Sequence, residues 1–180
     1  MRDIANVALR LVLLMVVAGL CLGVTNAVTE EPIRQQELIK AQELRQAVLS
    51  EAEDFQDLSV QEGGILSVYA GQAGGQTVGY VFEMSVNGFG GEMKLTVGIA
   101  QDQVTGVRIA SHSETPGLGA NADSDSFLSQ YVGKGAGISV IKSGTPAENE
   151  ILAVTAATIS SRAVTDAVNE AMDYYENHLK

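Results

Sequence analysis

The chain has 180 residues, of which 46% are hydrophobic, with 22 acidic and 11 basic side chains and a formal net charge of −11. This length allows one membrane segment and one domain that buries a core without disulfides or metal. Such an acidic excess excludes nucleic acid as a partner. The single cysteine, Cys21, excludes an intramolecular disulfide and the four thiolates of an iron–sulfur cluster. His112 and His178 lie far apart without a helical partner, so no metal site is expected.

An apolar run occupies residues 11–28. Since about 20 residues cross the hydrocarbon core of a bilayer, this run predicts a single-pass transmembrane helix. Arg2 and Arg10 precede the run and Glu30–Glu31 follows it, which predicts a cytoplasmic amino terminus and a domain on the extracellular or periplasmic side of the cell membrane. A cleaved signal peptide is the alternative, with Thr25–Ala27 as a loose cleavage site.

The rest of the chain shows first a helical pattern and then β patterns. Pro32 suits a first helical turn, and the apolar residues after it recur at spacings of three and four, which predicts an amphipathic connecting helix. These residues are Leu38, Ala41, Leu44, Val48, Ala52 and Phe55. Short β runs follow at 65–69, 77–85, 93–100 and 103–111, separated by brief glycine-containing turns. Their short connections predict an antiparallel meander.

Residues 138–142 are expected to form one more strand, and an amphipathic helix begins near residue 160 and closes the chain. The predicted fold class is α+β: an amino-terminal transmembrane helix, then an antiparallel sheet with flanking helices. The predicted segments are an anchor at 1–28, a connecting helix at 29–60 and a domain at 61–180.

A hydroxyl-bearing turn, residues 155–161, joins an apolar segment to the closing helix. A helix amino terminus offers free amide donors and the positive end of the peptide dipoles, which suit a phosphate group. Ala156 and Ala157 are small enough for a bulky ligand to approach the backbone. On these residues alone, Ser160 or Ser161 as an ordinary helix N-cap is the simpler interpretation.

The run Val154–Val164 resembles the Ser/Thr-Gly-Ala-Thr flavinylation motif of the FMN-binding domain family. That family includes the G subunit of the Rnf electron-transport complex and the C subunit of the sodium-translocating NADH:quinone oxidoreductase. In it, a separate flavin transferase, with FAD as donor, joins the last threonine to FMN through a phosphoester. The resemblance therefore implies a covalent FMN on Thr158, with Thr155, Ala156 and Ala157 beside it.

Two residues depart from that motif. Ala156 stands where the family usually has glycine, and Leu152 stands where many members have aspartate. An added methyl group is harmful where the backbone needs a positive φ and tolerable elsewhere.

A second match is Ser111–Ala120, which is similar to the His-x-Glu-Thr-Pro-Gly-Leu-Gly segment of Rnf G subunits. Pro116 and two glycines shape a loop whose backbone can approach a flat ring closely. The resemblance implies that FMN is contacted by Glu114, Thr115, Gly117, Leu118 and Gly119. A third, weaker match pairs Gly79–Phe82 with Gly88–Gly91, similar to the glycine-rich hairpin of the same domain.

Residues 117–122 also fit the dinucleotide pattern G-x-G-x-x-A. A dinucleotide site needs this pattern directly between a strand and a helix. Here residues 114–116 separate it from the preceding strand, and residues 121–126 are rich in turn formers, so a Rossmann site is not expected.

The resemblance implies an electron carrier in a membrane-bound Rnf-type complex, which relays electrons between ferredoxin and NAD with coupled ion transport. Its partners would be the other membrane subunits of the complex and the flavin transferase. The chain alone would neither oxidise ferredoxin nor reduce NAD. Two alternatives stay open: the C subunit of a sodium-translocating NADH:quinone oxidoreductase, and a membrane-anchored non-redox binding or assembly module if Thr158 is unmodified.

Overall fold

The computed structural model describes residues 2–180. The chain divides into two units, with the boundary in the sequence between Ala41 and Gln42. Helix α1 runs from Arg2 to Val48. From Ala8 onward it is long and apolar enough to cross a membrane, with a mean hydropathy of 2.4 in its most apolar window. Its apolar side chains, such as Leu14 and Leu22, are exposed, as a surface intended for lipid would be.

The connecting helix ends earlier than its apolar spacing predicts. Helix α1 stops at Val48, so Ala52 and Phe55 lie beyond it, and Pro32 lies inside the long helix rather than in a first turn. Ala52 is nevertheless buried with Val48 in one cluster, against which Phe55 packs. The apolar spacing of Val48, Ala52 and Phe55 therefore does not mark one helix. These residues share a cluster because the chain turns back after Val48 and packs on the same sheet.

The second unit is built on a five-stranded antiparallel sheet in the order β1-β2-β3-β4-β5, which confirms the predicted meander. Its strands are β1 (Asp54–Asp57), β2 (Ile65–Ala73), β3 (Gln76–Asn87), β4 (Glu92–Ala100) and β5 (Gln103–His112). The first strand was not predicted, because its four residues are mostly polar and exposed. Gly71 lies within β2, while Gly74 and Gly75 make the following turn with positive φ.

The chain after β5 crosses the end of the sheet in short elements. A 3₁₀ turn (Gly119–Asp123), helix α2 (Asp125–Leu128) and a second 3₁₀ turn (Ser129–Tyr131) lead to a small parallel sheet. That sheet pairs β6 (Ser139–Ile141) with β7 (Glu150–Leu152), and helix α3 (Thr158–His178) closes the chain.

The five-stranded sheet is covered on both faces, because alternate side chains of a strand point to opposite sides. Phe82 and Met84 of β3 belong to the main core, which includes the buried stripe of α3. Val81 belongs instead to a smaller cluster with Val48, the last residue of α1, and Leu49, which follows it. The end of α1 and α3 therefore hold the sheet between them.

Four glycines make room for the end of α1 on the sheet: Gly71, Gly79, Gly98 and Gly106. A side chain at Gly98 would collide with the Val48 carbonyl, and one at Gly106 would come within 2.9 Å of the Val48 Cα. The Thr105 hydroxyl also donates a hydrogen bond to the Val48 carbonyl. We call these four glycines the glycine seat. Because they have no side chains, the backbone at the end of α1 lies directly against the strands.

Candidate functional site

Helix α3 begins at Thr158, directly after the turn that the sequence singles out. Its N-cap residue is Ala157, which makes no side-chain capping hydrogen bond. The first turn of α3 therefore presents amide donors and the positive end of the helix dipole without a side-chain acceptor from the cap. Thr158, the first residue of α3, is half-buried at this end.

Ser160 and Ser161 are not the N-cap, which corrects the simpler interpretation of this turn. Both lie inside the first turn of α3 and are almost completely buried. The Ser161 hydroxyl accepts a hydrogen bond from the Val154 amide at 3.0 Å and donates one to the Ala157 carbonyl at 2.9 Å. The Ser161 side chain thus links the two ends of the turn, Val154 and Ala157.

A buried hydroxyl pair supports this end of the helix. Thr165 donates to the Ser161 carbonyl at 3.0 Å, and its hydroxyl pairs with that of Tyr131 at 2.8 Å. Burial raises the pKa of Tyr131 far above its ordinary value, so the phenol stays neutral at any physiological pH.

Ala156 adopts the left-handed conformation, with φ +62°. This conformation brings the Cβ of an L-residue close to the following carbonyl oxygen, whereas glycine adopts it freely. The position where the related motif has glycine is therefore one where the backbone favours glycine. Thr155 and Thr158, on either side of Ala156 in the sequence, line different cavities.

The loop after β5 is held against the β3–β4 turn by a buried carboxylate. Glu114 is 5% exposed, and its Oε1 accepts a hydrogen bond from the Gly90 amide at 3.1 Å. The Glu114 amide donates to Nδ1 of the half-buried His112 at 3.2 Å. The Thr115 carbonyl accepts hydrogen bonds from the amides of Leu118 and Ala120, which closes the loop on itself.

These segments enclose a pocket of about 370 Å³ beside Thr158. It is lined by Phe89, Glu114, Thr115, Leu118, Gly119, Ala156, Ala157, Thr158, Ile159 and Ser160. Its volume falls in the usual range for small-molecule sites, and its lining is mainly apolar with a few polar groups. The two motifs that the sequence treats separately therefore lie on one cavity.

Two of the nine residues implied as FMN contacts lie outside this pocket. Thr155 lines a separate open groove together with Asn121 and Phe127. Gly117 has φ +78° and shapes the loop without lining the pocket. The other seven line the cavity: Glu114, Thr115, Leu118, Gly119, Ala156, Ala157 and Thr158.

Three lining residues were not among the predicted site residues: Phe89, Ile159 and Ser160. Phe89 is a large aromatic residue in a glycine-rich turn and is 71% exposed, and it joins the exposed Leu118 and Ile159 in the lining of the pocket. Ile159 and Ser160 were within the singled-out turn, but only the helix start at Thr158 shows that both border the cavity.

Comparison with known proteins assigns this region to a family. Residues 88–173 match the FMN-binding domain family, and this range contains every residue that lines the pocket.

The full chain has curated relatives at 33–35% identity, each of them the G subunit of an oxidoreductase complex. It is 35% identical over 197 residues to the G subunit of the Na(+)-translocating ferredoxin:NAD(+) oxidoreductase complex of Acetobacterium woodii, covering 99% of this chain and 95% of that protein. It is 34% identical over 159 residues to the G subunit of the proton-translocating ferredoxin:NAD(+) oxidoreductase complex of Clostridium ljungdahlii, covering 87% and 83%. It is 33% identical over 182 residues to the G subunit of the ion-translocating oxidoreductase complex of Methanosarcina acetivorans, covering 96% and 95%.

Two solved structures share the fold. One is the C subunit of the Na(+)-translocating NADH-quinone reductase of Parabacteroides distasonis, with a TM-score of 0.52 and 21% identity over 61% of this chain and 60% of that one. The other is NqrC of Shewanella oneidensis, with a TM-score of 0.50 and 20% identity over 67% and 65%. The similarity therefore spans about two thirds or less of each solved chain, and it supports the α+β fold.

Proposed function

This chain belongs to the FMN-binding domain family, among the G subunits of ion-translocating oxidoreductase complexes, and on that premise we propose that it carries FMN esterified to Thr158. It acts as an electron-transfer subunit of a membrane-bound Rnf-type ferredoxin:NAD oxidoreductase. The observation that carries this proposal is the position of Thr158, the first residue of α3, on the same pocket as Glu114 and Leu118.

The residues around the pocket fit FMN chemically. The uncapped start of α3 suits the phosphate group, because it offers backbone amide donors and a positive dipole end. Phe89, Leu118 and Ile159 offer apolar surface to a flat ring, while buried oxygens of Glu114 and Ser160 are available to its polar groups. When bound, FMN supplies the one- and two-electron chemistry, and the protein supplies position and electrostatics.

Attachment to the chain requires one group transfer. The Thr158 Oγ1 forms a bond to the FMN phosphorus of FAD, the pyrophosphate bond breaks, and AMP leaves with the bridging oxygen. The hydroxyl proton passes to the transferase, which acts as the general base. This reaction needs no base from the chain itself, and the helix end stabilises the resulting phosphodiester charge.

Helix α1 supplies the membrane anchor of this proposal. We place the amino terminus in the cytoplasm and the FMN domain on the extracellular or periplasmic side, since Arg2 and Arg10 precede the apolar run. The anchor then lies within residues 1–28 and the connecting segment begins at residue 29. The FMN domain comprises residues 61–180 together with β1, which pairs in its sheet, and the end of α1, which packs on that sheet. The partners are the other membrane subunits of the complex, with a flavin transferase required for maturation.

The intact mass of the full chain, produced together with a flavin transferase, tests this proposal. We expect an increase of one FMN less one water in the wild type, no increase in Thr158→Ala, and the wild-type increase in the control Thr155→Ala. An unmodified wild-type chain under conditions where the transferase modifies a known acceptor would contradict the proposal. It would leave a binding or assembly role.

A further inference from the structure

The side chain of Gln130, in the second 3₁₀ turn, pairs with the backbone of Leu152, the last residue of β7. The Leu152 amide donates a hydrogen bond to Gln130 Oε1 at 2.8 Å, and Gln130 Nε2 donates one to the Leu152 carbonyl at 3.2 Å. A carboxamide that accepts and donates in this way takes the place of a neighbouring strand. Because β6 pairs with β7 along its other edge, Gln130 completes the second edge of β7 at Leu152.

The two residues that follow Leu152 are also held by their amides. The Ala153 amide donates to the Ile141 carbonyl of β6 at 2.9 Å, and the Val154 amide donates to Ser161 Oγ at 3.0 Å. The three successive amides therefore bind three different elements, namely the 3₁₀ turn, β6 and helix α3. We call residues 152–154 the fixed segment.

The turn that leads from the fixed segment to Thr158 is accessible from outside. Thr155 and Ala156 are exposed, and Thr158 is half-buried. The Val154 carbonyl accepts a hydrogen bond from the Ala157 amide at 3.0 Å, so this turn starts from the last residue of the fixed segment. The turn is thus held at both ends, by the fixed segment before it and by α3 after it.

The placement of this turn matters for the attachment step. In that step the Thr158 Oγ1 bonds to the FMN phosphorus of FAD, AMP leaves with the bridging oxygen, and the hydroxyl proton passes to the transferase. Phosphoryl transfer needs the attacking and leaving oxygens roughly in line, and a misplacement of about 1 Å can cost about a hundredfold in rate. A turn that is already held when the transferase binds avoids this loss.

We propose that Gln130 and Ser161 are positioning residues for flavin attachment, because they hold the fixed segment so that the transferase meets Thr158 in one place. This inference rests on the proposed function, in which Thr158 is the acceptor. Gln130 lies outside residues 154–164, the run that resembles the flavinylation motif, and it lines the open groove of Thr155 rather than the FMN pocket. It acts through the backbone that leads to the acceptor.

The kinetics of FMN attachment to the full chain in detergent test the role of Gln130, with flavin transferase and FAD supplied and intact mass as the readout. Gln130→Met keeps a side chain of similar length and removes both hydrogen bonds to Leu152. We expect kcat to fall about tenfold or more, with KM for the chain within about threefold of the wild-type value, since Gln130 aligns the acceptor. A wild-type kcat, or a raised KM with unchanged kcat, would overturn the proposal.

Asn169→Leu is the matched control. The Asn169 carboxamide forms the same pair of hydrogen bonds with the backbone of Ile138, at 2.9 and 2.8 Å, directly before β6. This variant loses a comparable pair of hydrogen bonds without releasing the fixed segment, so its kcat should stay close to that of the wild type. An equal loss of kcat in both variants would show a general effect of lower stability and would overturn the positioning role.

Amide hydrogen exchange of the wild-type chain keeps the proposal testable should Gln130→Met fail to fold. The Leu152 and Val154 amides should be protected about tenfold or more above the exposed Thr155 amide. Equal protection of all three amides would overturn the proposal, because the fixed segment would then not be held.

Ser161→Ala tests the other contact of the fixed segment. It removes the acceptor of the Val154 amide, so we expect faster exchange at Val154 and a kcat lowered in the same sense as in Gln130→Met. A wild-type kcat in Ser161→Ala would overturn the role of Ser161. A wild-type chain that gains no FMN is a different result, since it overturns the proposed function on which the inference rests.

Discussion

The Gly90 amide donates a hydrogen bond to Glu114 Oε1 at 3.1 Å, which ties the β3–β4 turn to the loop that follows β5. A Cβ at Gly90 would collide with the Ser113 carbonyl and lie 2.9 Å from the Glu114 Cα. Gly90→Ala should therefore push the loop away and lower the free energy of unfolding by about 1–3 kcal/mol, as overpacking does. Urea unfolding of the full chain in detergent measures this change.

The matched control is Gly135→Ala. An added Cβ there would meet only the Asp102 carbonyl at 3.6 Å, an ordinary contact. Its stability should stay close to that of the wild type, so equal losses in both variants would show that the Gly90 contact is not specific.

Ala156→Gly should stabilise the turn before α3. Relief of the left-handed alanine is worth about 1–2 kcal/mol, and the added flexibility of the unfolded chain offsets about half to one kcal/mol of it. We expect a net gain of up to about 1.5 kcal/mol by urea unfolding. Ala163 lies inside α3, so Ala163→Gly lacks this relief and should destabilise the chain. A loss of stability in Ala156→Gly would contradict the strained turn.

Adding a single methyl group to the glycine seat should lower the stability of the domain. Gly98→Ala places a methyl group against the Val48 carbonyl and the Thr105 hydroxyl, which are hydrogen-bonded to each other. We expect a loss of about 1–3 kcal/mol, together with faster amide hydrogen exchange in residues 48–52. Thr105→Val removes only the hydrogen bond, so its cost should be smaller, about 1 kcal/mol. Unchanged exchange in Gly98→Ala would show that the helix end does not depend on this seat.

An ion pair near the carboxyl terminus gives a pH-dependent prediction. Lys180 donates a hydrogen bond to Asp102 at 2.8 Å, which lowers the pKa of that carboxyl. Because the pKa is depressed in the folded state, the contribution to stability is present above the ordinary pKa of 3.8 and is lost as the pH falls through the lowered value.

Lys180→Gln should return the pKa of Asp102 toward its ordinary value, which an NMR titration of the carboxyl group detects. Both side chains are about half exposed, so added salt should weaken the wild-type shift as well. A pKa of Asp102 that is the same with and without Lys180 would contradict this assignment.

The sequence predicts those parts of the fold that rest on local periodicity. The four long strands and helix α3 follow from alternation and from a helical stripe that includes Val164 and Val168. It does not reveal β1, and it places Phe55 on a helix, because the contact of Phe55 with the end of α1 forms only after the chain has turned. Tertiary contacts, which the local sequence pattern does not show, determine both where α1 ends and where β1 forms.

The candidate site shows the same limit. The motifs around Thr158 and Glu114 are readable in the sequence, but they are 44 positions apart and nothing local says that they share a pocket. Ser160 looks like an N-cap in the sequence, and only the helix start at Thr158 shows that it is buried beside Gly119. The positive φ at Ala156 likewise cannot be read from the sequence, where an alanine predicts a negative φ.

The site of attachment is the central claim, and peptide mapping tests it most directly. Trypsin cleaves after Lys142 and Arg162, so one peptide, residues 143–162, carries Thr155, Thr158 and Ser160. Tandem mass spectrometry of this peptide from chain matured by a flavin transferase should place the FMN phosphoryl group on Thr158. A flavin on Thr155, on Ser160 or on another peptide, or none at all, would contradict the account.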